Sequence, residues 1–297
     1  MSKNHYYYSL LATMLLFSSC RVNHYLYAPV APQTPMLNSK GEMNITGMYA
    51  IGGLAHSNDS GYNNGYDVQA AYAITHHLAI TGAFSHRHEK DNYENANPYP
   101  LSTKKFPANV WYNRNTTQLG LGYFTSIDSD NEVFFDLYGG YGFGKYRLHE
   151  TGIGFNGNYD MYHTTSISQF YLQPGFHFNV SDMSQVATSL RVTTANYYHI
   201  MSDYPAPLED TLHMSTIRNT TFVFLEPSLT VRLWIPHAPW LKLETQLSTS
   251  LKLNNKAFNY RKSYFSVGLS FDLSKINEHS NYKKKNKNPR VIADPRF

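Results

Sequence analysis

The chain has 297 residues, of which only 15% are charged and 15% are aromatic, led by 25 Tyr and 17 Phe. Mean hydropathy is negative (−0.44), and no run of about 18 apolar residues occurs, which excludes a bundle of membrane helices; the aromatic content excludes a disordered chain. The net charge of +4 is small and scattered, which argues against a nucleic-acid partner. The excess of Tyr, Thr, Ser and Asn over good helix formers predicts an all-β protein.

In chain order, the first element is a basic start at Lys3 followed by an apolar run from Leu10 to Phe17. This predicts a secretory signal peptide over residues 1–19, too short for a mature membrane anchor. The one cysteine, Cys20, cannot form an internal disulfide. Its setting, Leu16-Phe17-Ser18-Ser19-Cys20, resembles the lipobox of bacterial lipoproteins, with Phe17 standing where Leu is usual. The resemblance implies cleavage before Cys20 and acylation of its thiol and amine with chains such as palmitate, which together anchor stably. Pro29, Pro32 and Pro35 then fall in a stretch without period. It reads as a lipid-anchored extended tether over 20–42.

From residue 43 to 273 the chain shows period-2 segments, ten in all: about 43–55, 66–74, 78–87, 111–124, 133–148, 166–179, 185–200, 220–234, 240–253 and 262–273. Short connections alternate with longer ones. An even number of strands with short turns at one rim and long loops at the other is the plan of a transmembrane barrel, with both chain ends on the short-turn, periplasmic side. A basic tail over 274–297, carrying Lys283, Lys284, Lys285 and Lys287, reads as a disordered periplasmic extension.

The ninth segment shows the alternation best. Leu241, Leu243, Leu247 and Leu251 oppose Lys242, Glu244, Gln246 and Lys252. A slip of one residue would turn those ions onto the apolar face, at about 2–4 kcal/mol per Lys at mid-bilayer. Alternation alone fits a barrel that is apolar outside or inside. The polar face is Gly, Ser, Thr and Gln rather than Lys and Glu. Many strands exceed the length needed to cross a bilayer. Aromatics such as Trp111, Tyr112, Trp234 and Trp240 gather near strand ends. All three place lipid outside a closed antiparallel up-and-down β-barrel of about ten strands.

The chain thereby resembles the outer-membrane β-barrel family of diderm bacteria, in a lipoprotein version. The last strand, from Tyr264 through Gly268 and Phe271 to Leu273, is similar to that family's assembly signal, although some twenty residues follow it and Phe297 is not its terminal aromatic. The resemblance implies outer-membrane lipid and the barrel-assembly machinery as partners. It identifies no activity.

Parity sends Arg87, Arg114, Arg191, Arg232, Lys242 and Lys252 into the lumen with Asp67, Asp136, Glu226, Glu244 and Asp272. Near balance of charge predicts a buried polar network; a narrow conduit lined by Glu226 and Arg232 is the sharper reading. At the loop rim stand His86, His88, His149, His163, His199 and His213, near Asp91, Glu150, Asp203 and Asp210, with no recognisable catalytic signature. His86 and His88 could take a metal with Glu89, but that spacing is weak. Loop segments 91–95 and 155–159, rich in Asn and Tyr, suit an external ligand or surface partner. The sequence reads as an outer-membrane barrel lipoprotein with a structural, surface-binding or narrow-conduit role, without cofactor or metal and without catalysis. The alternatives are a soluble barrel lipoprotein around a small apolar ligand, or an outer-membrane hydrolase with a loop-rim site.

Overall fold

The computed structural model describes residues 24–52, 62–96, 106–154, 157–181 and 183–275. The expected signal peptide, Cys20, and all of the basic tail beyond Lys275 lie outside the described residues.

The wall is antiparallel and made of β1 (Met43–Gly52), β2 (Tyr62–Ala73), β3 (Leu78–Ala96), β4 (Phe106–Ser126), β5 (Val133–Gly154), β6 (Gly157–Ser181), β7 (Ser184–Ser202), β8 (Phe222–Ile235), β9 (Ala238–Thr249) and β11 (Ser263–Asp272). The two-residue β10 (Leu251–Lys252) continues the line of β9 along β8. Each strand pairs with its neighbour in sequence, β9 pairs with β11, and β11 returns to β1 from Asn44↔Asp272 to Gly52↔Tyr264. The result is a closed ten-strand barrel.

The oily side faces out. Leu119, Leu121, Phe170 and Leu172 are 53–68% exposed, whereas Arg191 and Arg232 are 1% exposed on the inside. This is the reverse of a soluble barrel enclosing an apolar ligand. On β5 the outward residues Val133, Phe135, Leu137, Tyr141 and Phe143 give way to Lys145, Arg147 and His149. Ten residues rise about 33 Å along a strand; at a tilt near 40° that is about 25 Å, the height of a membrane-spanning apolar band.

Two strands run well past their expected ends. β3 continues to Ala96 rather than 87, and β6 begins at Gly157 rather than 166, paired up to Gly154↔Gly157. Segments 91–95 and 157–159, expected as loops, are therefore strand. The physical reason is that hydrophobic alternation ends where the apolar band ends, while backbone hydrogen bonding continues above it.

The largest departure concerns the stretch expected as a tether outside the barrel. Residues 24–37 are all buried, inside the lumen. The chain reverses from lumen to wall over residues 38–42. Gly41 adopts a left-handed φ of +85° there and its N–H donates to the Ala73 carbonyl (2.9 Å). The Glu42 carboxylate accepts from the Asn38 N–H (2.8 Å) and the Ser39 hydroxyl (2.9 Å). Residues 43 and 272 lie at the short-turn rim as expected. His24 does not: it lies at the opposite rim, beside Glu150 and Tyr204.

That upper rim is closed by chain folding inward. The β7–β8 connection carries α1 (Ala206–Thr211) and a 3₁₀ turn (Ser215–Asn219). Leu208, Met214 and Ile217 from this connection, with Phe258 from the β10–β11 connection, pack with Tyr25, Leu26 and Tyr27 against Val110, Tyr146, Ile167 and Phe224 of the wall.

Candidate functional site: the occupied lumen

A proline-rich segment without regular structure leaves backbone carbonyls that need donors. The polar face of the wall supplies them. Gln69 and Gln246 both donate to the Pro32 carbonyl (3.2 and 3.1 Å), and Gln173 donates to that of Gln33 (2.7 Å). Arg232 gives Nη1 to the Pro35 carbonyl (2.6 Å) and Nη2 to that of Thr34 (2.9 Å), while its Nε donates to Glu244 (2.6 Å). The Thr34 hydroxyl meets Thr230 (3.0 Å). Apolar side chains of the segment fill small pockets: Leu37 against Ala71, Ala73, Ala79 and Phe124, and Ala31 against Met48, Ala50 and Tyr264.

Higher up, aromatic residues take over. The Tyr27 ring stacks on Phe224 at 3.8 Å, and its hydroxyl donates to Glu226 (2.7 Å), which also accepts from Thr193 (2.8 Å). Tyr25 stacks on Tyr112 at 4.0 Å and its hydroxyl donates to Glu89. Glu89 in turn pairs with Arg114 (2.6 Å) and with Arg261 (3.7 Å) from the β10–β11 connection. Burial opposes the charge on Arg261, but Glu89 and Tyr25 outweigh it and raise its pKa above the ordinary arginine value. The same connection pins the segment by backbone: Leu26 N–H to the Asn259 carbonyl (3.1 Å) and Arg261 N–H to that of Tyr27 (2.8 Å).

The expected lumen residues are thus mostly where parity sends them. Arg87 pairs with Asp67 (2.8 Å), Asp136 with His177 (2.6 Å), and Lys242 with Asp272 (3.7 Å) beneath the Trp234 ring. Arg191 binds Gln173 (2.8 Å) and lies over Tyr171. Lys252 differs. It is half-buried in β10, apart from the network, its Nζ meeting the Lys256 carbonyl, because β9 breaks at Ser250.

Sequence reading missed Glu89, Glu150 and His177 as lumen groups. The signal for Glu89 was present: two residues beyond Arg87, it shares the inward face once β3 is allowed to continue. The rim histidines do not converge. His86 and His88 face outward while Glu89 faces inward, and His86 binds Asn115 (2.5 Å). His163 is buried 3.9 Å from Glu209, His149 is outward beside Asp160 (2.8 Å), and His199 is exposed at the end of β7. Among the described residues no group of three or more His, Cys, Asp or Glu is arranged to hold a metal. Two cavities beside the segment hold about 10 Å³ each, room for about one water molecule.

A family model described as outer membrane protein beta-barrel domain matches residues 26–224. No curated protein sequence matches the chain. Among solved structures, similarity extends to the translocator domain of the autotransporter NalP from Neisseria meningitidis, at 12% identity and TM-score 0.47, over 89% of this chain and 95% of that one. The outer membrane protease OmpT from Escherichia coli is similar at 10% identity and TM-score 0.40, over 79% and 94%. Ail, the attachment invasion locus protein of Yersinia pestis, is similar at 12% identity and TM-score 0.30, over 78% and 99%.

Proposed function

Because the chain belongs to the outer-membrane β-barrel family, we propose that it is a self-plugged barrel of that membrane, which serves structure and surface presentation rather than passage or catalysis. The observation that carries this reading is residues 24–37 running the length of the lumen, with the carbonyls of Pro32, Gln33, Thr34 and Pro35 accepting from Gln69, Gln173, Arg232 and Gln246 of the wall. A conduit needs free space along its axis. Here Glu226 and Arg232, the expected conduit residues, hold Tyr27, Thr34 and Pro35 instead.

Acylation of Cys20 stands as part of this proposal. Cys20 precedes His24 by four residues, a span of at most about 14 Å. With short turns in the periplasm, as family architecture implies, a lipid on Cys20 belongs to the outer side, not the periplasmic one. Intact mass of protein extracted from membranes tests the lipid: loss of residues 1–19 with a gain of acyl chains is expected. Planar bilayers test the plug. Full-length protein is expected to give no steady current and a barrel lacking 24–37 to conduct. Steady current from the full-length protein would overturn the reading.

A further inference from the structure

The outer wall above the apolar band carries a cationic face that the plug does not explain. Outward residues of β3, β4, β5 and β6 lie in register there: Lys90–Trp111–His149–Tyr162, then His88–Asn113–Arg147–Thr164, then His86–Asn115–Lys145–Ser166. Within two rows below Lys145 the wall turns apolar, with Phe84, Phe143, Leu119, Tyr141 and Phe170 all exposed. The first cations therefore stand where hydrocarbon ends and headgroups begin.

Lys145 and Arg147 are exposed, and among the described residues neither has a carboxylate within ion-pair distance. The acid in the patch, Asp160, is engaged by His149 (2.8 Å). Lys90 lies over the Trp111 ring at 5.1 Å, and His149 is sandwiched between Trp111 (5.0 Å) and Tyr162 (4.3 Å). Between these strands a cleft of about 290 Å³ is lined by His88, Trp111, Asn113, Arg147, His149 and Tyr162. Aromatic rings of this kind sit at headgroup depth, and unpaired cations beside them suit phosphate oxygens.

We propose that this face binds the phosphates of an anionic, phosphate-bearing glycolipid in the adjoining leaflet, with its acyl chains on the apolar wall below and its headgroup in the cleft. Lys145 and Arg147 make the primary contacts, and Lys90 and His88 flank them. The site uses side chains on the outside of the wall, so it is independent of whether the lumen stays plugged.

Native mass spectrometry from mixed micelles tests it by counting lipid bound per barrel in three arms: a diphosphoryl glycolipid, its dephosphorylated counterpart, and the diphosphoryl lipid with excess inorganic pyrophosphate. Wild type is expected to retain the diphosphoryl lipid alone and to keep it against pyrophosphate. Lys145→Gln with Arg147→Gln should weaken retention about 30-fold, as two cations at an anionic surface allow. Lys262→Gln, on the far side of the barrel, should not. The charge-preserving pair Lys145→Arg with Arg147→Lys should retain binding, which separates lost charge from lost folding. Equal retention of the dephosphorylated lipid, no change in the Gln variant, or displacement by the excess pyrophosphate would each overturn the proposal.

Discussion

Replacing Arg232 by Met tests how the lumen holds its contents. Arg232 is 1% exposed and makes three directed contacts: to Glu244 at 2.6 Å, to the Pro35 carbonyl at 2.6 Å and to the Thr34 carbonyl at 2.9 Å. Losing one member of a buried ion pair costs about 3–5 kcal/mol, because the other charge stays buried and unpaired. Each carbonyl left without a donor adds about 1–3 kcal/mol. Arg232→Met should therefore lower unfolding free energy by about 5–11 kcal/mol. Adding Glu244→Met removes the lone charge, so the double variant should recover roughly half of that loss. The assay is urea unfolding in lipid, followed by tryptophan fluorescence. A double variant no more stable than Arg232→Met, or an Arg232→Met within about 1 kcal/mol of wild type, would refute the reasoning.

Leu121→Lys places a charge at the middle of the apolar band and should cost about 2–4 kcal/mol of barrel stability in lipid, whereas Thr151→Lys above the band should cost about 0–1 kcal/mol; equal losses would contradict the membrane placement. Tyr27→Phe keeps the stack on Phe224 but drops the hydrogen bond to Glu226, for about 1.5 kcal/mol, while Tyr27→Ala should lose about 3–5 kcal/mol more. Protease release of the N-terminal segment checks that order. Gly122→Ala would set a methyl group into the ring of Tyr138, which is 1% exposed and has nowhere to move. Overpacking of this kind costs about 1–3 kcal/mol, read as a lowered denaturant midpoint.

The wall was legible because period-2 alternation and the bilayer impose the same constraint on the same residues: Leu241 to Leu247 cannot exchange faces with Lys242 to Gln246 without burying ions in hydrocarbon. Parity then placed Arg87, Arg191 and Arg232 correctly. It failed where the constraint lapses. Above the band, Asn and His at positions such as 88 and 92 obey no hydrophobic rule, so β3 looked finished at 87. The plug was illegible for a different reason. Its residues carry no period, and an irregular proline-rich run looks the same in solvent as in a lumen; only the surplus of inward Gln and Arg, far from any partner in sequence, hinted that another strand of chain had to satisfy them.

The reversal at Gly41 has a consequence for the order of assembly. With the segment in place, two gaps beside it each admit about one water molecule, and Tyr25 and Tyr27 are stacked on Tyr112 and Phe224 of the wall. So close a fit favours a sheet that curls around a segment already laid along its axis over one that is threaded after closure, with the seam from Asn44↔Asp272 to Gly52↔Tyr264 closing over it. The last strand of the described wall is thereby paired with the first, directly after the segment that the two enclose.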